Sequence, residues 1–371
     1  MILPAASDRV SAAGKADEIS YLCNMKRGIN KRLALYLGAV FLVLVVTYVP
    51  GNREPVEVVD RSTGELMKEK VPGERWLLWL YGNPAGELTL NALVKRKFAS
   101  EIYGRMMDKP KSVKKVRPFV REYGIDLSIC RDTLFTTFND FFTRQLKPSA
   151  RPVDPDPSVL VSPADGRLLA YSNIARQDFV VKGYRFDLAG FLHDSLLAGE
   201  FEGGSMIIVR LAPVDYHRFH FPVDGTVLYE KNIQGTYYSV NPLALRKKVE
   251  LLCENERDYT VIRSERFGRM IMAEVGATMV GSIIQTGQGP RVVKGEEKGF
   301  FRFGGSTVIL FFRKGVVEID QDLLINTSNH LETIVKMGEH IGRALPAAAG
   351  AATSETPAAE TSETSKAAAA A

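Results

Sequence analysis

The chain has 371 residues, 45% hydrophobic and 25% charged, proportions that exclude a wholly disordered, collagen-like or polytopic membrane protein. Its formal charge of +5, Lys+Arg 48 against Asp+Glu 43, is a mild excess that suits an anionic lipid surface as well as nucleic acid. Cys23, Cys130 and Cys253 are odd in number, far apart and outside any CxxC or Cys/His pattern, so neither a disulfide framework nor a structural zinc site is encoded and the fold rests on packing.

The first element in chain order is the uncharged apolar run LALYLGAVFLVLVVTYV from Leu33 to Val49, directly preceded by Lys26, Arg27, Lys31 and Arg32. Its length matches the shortest bilayer-spanning helices, and no small-residue A-x-A site follows. The expectation is a retained single anchor at 33–49 within an extension covering 1–55, a cleaved signal and a buried core helix being the alternatives. The basic flank favours an inside amino terminus. Met25, followed by KRGINKR, would also make a start, with 1–24 then an extension without structure.

Over 56–150 apolar residues recur at helical spacing in ERWLLWLYG, LTLNALVKRKFASEIYGRMMD, VRPFVREYGI and TLFTTFNDFFTRQL, which predicts a helical region. Trp76 to Tyr81 is unusually aromatic, and Lys109, Lys111, Lys114, Lys115, Arg117 and Arg121 form a basic stretch. Core packing and a solvated face would account for both, and so would contact with a headgroup layer.

After the Pro-rich hinge KPSARPVDPDPS, short β-branched and aromatic runs alternate with Gly, Pro and Asp turns, predicting a mainly β domain over 151–345 with a last helix near Thr333 to Arg343. Pro163-Ala164-Asp165-Gly166 and Pro222-Val223-Asp224-Gly225 repeat one tight-turn signal between strand-like runs. The fold class is therefore α+β: an N-terminal anchor and helical interface region, then a pseudo-symmetric β barrel or sandwich built of hairpins. Residues 346–371 carry no large side chain to bury and read as a tail.

Of the five histidines, His217 and His220 sit together in YHRFH; three residues apart, they face opposite sides of a strand or one side of a helical turn. No cysteine or third clustered histidine completes a zinc set, so no metal is expected. In FGGSTVILFF, Gly304 and Gly305 deliver Ser306 to the start of an apolar strand. This is not the G-x-S-x-G elbow, since the second glycine is missing and a strand follows. On its own the Gly-Gly-Ser-Thr run reads as a turn.

Taken in order, FNDFFTRQLKPSARPVD (Phe138 to Asp154), SPADG (Ser162 to Gly166), YHRFHFPVDG (Tyr216 to Gly225), VGATMVGSI (Val275 to Ile283) and KGEEKGFFRFGGSTVILFF (Lys294 to Phe312) resemble the motifs of phosphatidylserine decarboxylases. The resemblance spans about Val56 to Asp320 and is strongest to the bacterial branch with GGST where many relatives have Leu-Gly-Ser-Thr; the departure, Gly304, leaves the Gly-Ser pair intact.

The resemblance implies a precursor that cuts itself between Gly305 and Ser306. Ser306 Oγ attacks the Gly305 carbonyl, the ester eliminates, and the dehydroalanine loses ammonia to become a pyruvoyl group. His220 would be the base and Asp165 would orient it, a serine-protease logic turned on the chain's own backbone. The covalent pyruvoyl at position 306 would form a Schiff base with the substrate amine and accept electrons as carbon dioxide leaves, with no pyridoxal phosphate and no metal. His217 is the candidate proton donor in that step. The implied partners are phosphatidylserine, an anionic membrane and the two chains of the cut precursor, with no nucleic acid; exposed β edges leave a homodimer open. With the single N-terminal anchor, the resemblance implies a membrane-associated protein of the bacterial inner membrane.

The main alternative is a serine hydrolase using Ser306, His220 and Asp165 on external esters with its chain intact. A lipoyl- or biotinyl-type carrier would need a lysine at a hairpin tip, which the two PxDG turns lack. A family member acting on another amine-bearing carboxylate is the third alternative.

Overall fold

The computed structural model describes residues 35–43, 45–48, 56–90, 97–174, 186–236, 251–277, 283–287, 289–304 and 306–346. The tail beyond 346, Gly305 and residues 1–34 lie outside the described residues.

The N-terminal region opens on a hairpin, β1 (Glu57–Asp60) and β2 (Leu66–Lys68), followed by helices α1 (Glu74–Gly82), α2 (Pro84–Thr89), α3 (Lys97–Met107), α4 (Val116–Tyr123) and α5 (Phe138–Phe142). A 3-10 turn at Pro110–Lys115 joins α3 to α4. The β domain then contains β3 (Val159–Val161), β4 (Gly166–Tyr171), α6 (Leu188–Leu192), α7 (Ser195–Glu200), β5 (Ser205–Leu211), β6 (Arg218–His220) and β7 (Gly225–Ile233). It continues with α8 (Leu251–Glu254), β8 (Arg257–Ser264), β9 (Gly268–Gly276), β10 (Ile283–Gln285), β11 (Arg291–Val292), β12 (Glu297–Phe301) and β13 (Ser306–Phe312). β14 (Val317–Ile319), α9 (Gln321–Ser328), β15 (Glu332–Val335) and β16 (His340–Ala344) complete it.

A ten-stranded sheet runs β11-β7-β8-β9-β13-β5-β4-β15-β1-β2, and two three-stranded sheets run β10-β12-β6 and β14-β16-β3. The sequence STVILFF of β13 is β-branched and aromatic throughout and is buried on both faces between β9 and β5, as a central strand must be. Its alternation sorts the two faces. Phe311 packs on Phe186 and Phe191 on one side. On the other, Val308 lies beside Glu274, whose carboxylate accepts from Lys298 of β12 at 2.8 Å. Ser306 shares this second face, under the β10-β12-β6 sheet.

The mixed α+β class with a large β sheet matches the sequence reading; three details differ. Thr333 to Arg343 is not a helix but β15 and β16, because the β-branched run Thr333-Ile334-Val335 pairs with β4 and β1 and Gly338 breaks the chain at φ 83°. There a side chain would strike the Pro152 carbonyl, 2.5 Å from the ideal Cβ. The helical region begins with a hairpin that joins the main sheet, since β1 pairs in parallel with β15. The two PxDG turns are not hairpins: each carries the chain from a three-stranded sheet into the large one, β3 to β4 and β6 to β7. Of the expected anchor at 33–49, Leu33, Ala34, Leu44 and Val49 lie outside the described residues; 35–43 and 45–47 are helical and mostly exposed, and among the described residues no helix is long and apolar enough to cross a membrane.

Candidate active site

Ser306 opens β13, fully buried, opposite Leu211 at the end of β5 and Gly276 at the end of β9. β5 runs into a tight loop, Ala212 to His217. There the Asp215 N–H donates to the Ala212 carbonyl at 2.8 Å and the Ala212 N–H donates back to Asp215 Oδ2 at 2.7 Å. The loop folds His217 over the end of β13. Its Nε2 lies 2.9 Å from the Ala212 carbonyl, which can only accept, so Nε2 carries the hydrogen and Nδ1 keeps its lone pair. Nδ1 is 3.3 Å from Ser306 Oγ.

Phe142 of α5 stacks on the His217 ring with centroids 3.8 Å apart and planes at 25°. Burial pushes the imidazole pKa down to about 3, against the opposing pull of Asp215 and the Ala212 carbonyl. His217 is therefore neutral at physiological pH, and a neutral imidazole presenting a lone pair to a buried serine hydroxyl is a general-base arrangement. Arg144, buried and with its pKa lowered by that burial, donates to the carbonyls of Val214 and Asp215 at 3.3 and 3.2 Å.

Asp165 is also buried, but its carboxylate accepts from Arg151 through both oxygens and from the Met337 N–H at 2.8 Å. His220 stacks on Tyr216 at 5.7 Å, and its Nδ1 is buried without a hydrogen-bond partner. Burial lowers its pKa to about 4, with Glu297 and Asp165 pulling it up. The structure thus brings Ser306 and His217 together. Among the described residues no hydrogen bond joins Asp165 to His220 or His220 to Ser306.

The segment leading into Ser306 is pinned from α5: Phe303 N–H donates to Asn139 Oδ1 at 2.9 Å, and Asn139 Nδ2 donates to Asp108 at 2.8 Å. Gly304 follows at φ 148°, a conformation side-chain-bearing residues rarely adopt. A cavity of about 410 Å³ ends at Phe303 and Gly304 and is walled by Trp76, Leu80, Met107, Phe119 and Phe138, with Lys115, Glu122 and Arg210 as charged lining. Trp76 also stacks on Trp79, whose Nε1 donates to the Val46 carbonyl at 2.6 Å, and Asn83 Nδ2 donates to the Tyr48 carbonyl at 2.8 Å. These contacts dock the exit of the 33–49 run beside the cavity wall. Lys109, Lys111, Lys114, Lys115, Arg117 and Arg121 are all exposed. Among the described residues no group of three or more His, Cys, Asp or Glu could hold a metal ion.

Sequence reasoning did not assign Asn139, Phe142, Arg144, Asp215 or the Ala212 carbonyl. The first three lie inside the FNDFFTRQL motif, where a buried-type Arg among phenylalanines was a usable signal; Asp215, two residues before His217, was another. The Ala212 carbonyl carries no side-chain signature.

The family model described as phosphatidylserine decarboxylase matches residues 138–343. A phosphatidylserine decarboxylase proenzyme of Fusobacterium nucleatum is 50% identical over 295 residues, covering 78% of this chain and 98% of that protein. Proenzymes of the same description from Clostridium perfringens strain SM101 and Clostridium botulinum strain Kyoto are 46% and 45% identical over 291 residues, each covering 77% of this chain and 99% of the relative.

Proposed function

The chain belongs to the phosphatidylserine decarboxylase family, and on that premise we propose that it converts phosphatidylserine to phosphatidylethanolamine and carbon dioxide after cutting itself between Gly305 and Ser306. The observation that carries this reading is the 3.3 Å contact between Ser306 Oγ and the lone-pair nitrogen of a neutral His217, two residues beyond Gly304 in the wall of an apolar cavity. An acyl-bearing substrate suits that cavity, and the exposed basic run from Lys109 to Arg121 suits an anionic lipid surface. With the 33–49 run as an anchor, the enzyme would work on its substrate in the membrane that holds it.

In the precursor, Ser306 Oγ adds to the Gly305 carbonyl as its proton passes to an imidazole; the resulting ester eliminates to leave Gly305 as a carboxylate, and hydrolysis of the new amino terminus releases ammonia. Ser306 fits a pyruvoyl position because it is sealed from solvent, faces a proton-handling nitrogen and follows the cavity-lining Gly304 by two residues. The group supplies an electron sink for decarboxylation. His217 Nδ1 handles the proton at position 306 during turnover, while Phe142 and the Ala212 carbonyl fix its ring and tautomer.

The family resemblance gives the cleavage step to His220 with Asp165. A second reading, favoured by the Ser306–His217 contact, gives His217 that step as well. Intact mass of the purified chain tests the function: two fragments are expected, the second beginning at position 306 and lighter by one ammonia than a serine-initiated peptide, while Ser306→Ala stays whole and inactive. A single uncut chain from an active preparation would move the serine-hydrolase alternative to the front. His217→Ala and His220→Ala, run on the same gel, separate the two readings: a His217→Ala chain that still cuts but does not turn over leaves cleavage to His220.

A further inference from the structure

Beneath the Ala212–His217 loop lies a row of buried ion pairs that the serine chemistry does not itself use. Glu69, just after β2, presents one oxygen to Arg167 Nε at 2.7 Å and the other to Arg210 at 2.7 Å. The side chains of Glu69 and Arg210 are each 4% exposed, so water does not take over either partnership. Arg167 pairs in turn with Asp215, and Arg210 with Glu332 at 2.5 Å. Burial opposes ionisation of Asp215, but Arg167 and Lys336 together outweigh it and hold the carboxyl below the usual range.

From Asp215 the hydrogen bonds continue without a gap. Its Oδ2 accepts the Ala212 N–H, the Ala212 carbonyl accepts the Nε2 hydrogen of His217, and His217 Nδ1 faces Ser306. Glu69 lies outside the matched span 138–343, so the N-terminal hairpin supplies the outer end of this chain of contacts.

We infer that Glu69 is a positioning residue for His217, acting through Arg167, Asp215 and Ala212. This inference rests on the reading of Ser306 as the self-cleaving residue with His217 as the base of that step. Arg167 is held between two carboxylates. Without Glu69 its buried guanidinium keeps one counter-charge and is drawn toward Asp215, because a desolvated cation depends on the carboxylates that remain beside it. Any turn pulls Asp215 Oδ2 from the Ala212 N–H, and the Ala212 carbonyl sets both tautomer and tilt of the imidazole. A base displaced by about 1 Å loses up to roughly a hundredfold in rate.

The hairpin has a second fastening that serves as the control. Arg61, in its turn, holds Asp320 and Asp322 at 2.7 Å each, away from the arginine row. The experiment refolds wild-type, Glu69→Gln, Arg61→Gln, Asp215→Asn and Glu69→Gln/Asp215→Asn precursors and follows cutting on denaturing gels, then measures kcat and KM of the cut enzymes. Glu69→Gln is expected to cut at least about tenfold more slowly and, once cut, to lose kcat with KM held, while Arg61→Gln stays within about twofold. The double variant should be no slower than the slower single one, since both substitutions break one chain of contacts.

Equal slowing by Arg61→Gln would mean that hairpin docking, not the carboxylate, matters, and would overturn the inference; so would additive slowing in the double variant. Wild-type cutting with Glu69→Gln cutting at the same rate refutes this inference alone, whereas a wild-type chain that stays whole refutes the self-cleavage reading with it. If Glu69→Gln does not fold, Arg167→Lys probes the same link with the charge kept: slow cutting supports the inference and a wild-type rate overturns it.

Discussion

The electrostatics of the two histidines make the pH dependence of the proposed self-cleavage a sharp test. His217 is pushed down to about 3 and His220 to about 4, in both cases chiefly by burial. A base must be neutral to take the Ser306 proton, so with either histidine the competent fraction stays close to complete down to about pH 5. A histidine at its ordinary value of about 6.5 would be only about one-eleventh neutral at pH 5.5, roughly a tenfold loss of rate. Precursor refolded by rapid dilution into buffers from about pH 5 to 8 and sampled on denaturing gels gives the profile directly. A flat profile is expected. A rate that falls tenfold per pH unit below about 6.5 would refute the assignment of a buried, desolvated imidazole as base. The same burial limits the window from below: histidines depressed in the folded state contribute stability present above about pH 6.5 and lost as pH falls toward their folded values, so the chain should lose stability before it loses a competent base.

Other consequences follow from buried charge and from the cavity. Lys298→Met strands the Glu274 carboxylate and should cost about 3–5 kcal/mol in denaturant unfolding of the Ser306→Ala precursor, while Lys298→Met/Glu274→Leu should recover most of it; a double variant as weak as the single would sink the pairing argument. Burial raises Glu274 to about 7 with Lys298 pulling the other way, so its contribution is present below about pH 4.5 and lost as pH rises through 7; the Lys298→Met defect should be larger at pH 8 than at pH 5. Trp76→Glu places a carboxylate in the cavity wall and should raise KM on anionic vesicles roughly fivefold to tenfold while precursor cutting continues; an unchanged KM would remove the cavity from the substrate path.

What was legible in the sequence depended on whether a residue's role is local or supplied by a distant strand. Strand β13 was readable because STVILFF is apolar at every position, and the Asp-Gly turns were readable because Gly166 and Gly225 both begin strands. That those turns join different sheets was not, since pairing partners are set by register across the whole domain. Thr333 to Arg343 misled for the same reason: MGEHIGRA has helical residues, and only the β3 and β14 partners on either side of β16 make it a strand. At the site, Ser306 and the YHRFH histidines stood out as residue types. Which histidine meets Ser306 depends on the fold of Ala212 to His217, and Asp215 and Arg144 shape that loop through backbone atoms, which leave no pattern to read.

The position of the proposed scissile bond also decides what would follow a cut between Gly305 and Ser306. Ser306 is the first residue of β13 to pair, so a break just before it removes no ladder hydrogen bond from the large sheet. The C-terminal fragment would then contribute β13 between β9 and β5, β15 between β4 and β1, and β16 between β3 and its own β14. Both large-sheet strands are flanked on each side by strands of the N-terminal fragment, and Arg61 of that fragment grips Asp320 and Asp322 of the other. Separation would expose β13, buried on both faces, at about 25 cal/mol per Å² of apolar surface. The fragments should therefore co-elute in native size exclusion and part only in the denaturant range where the β-sheet circular dichroism is lost. Fragments that separate while that signal is intact would contradict the interleaved strand order, and with it the idea that the cut can be made without loosening the site.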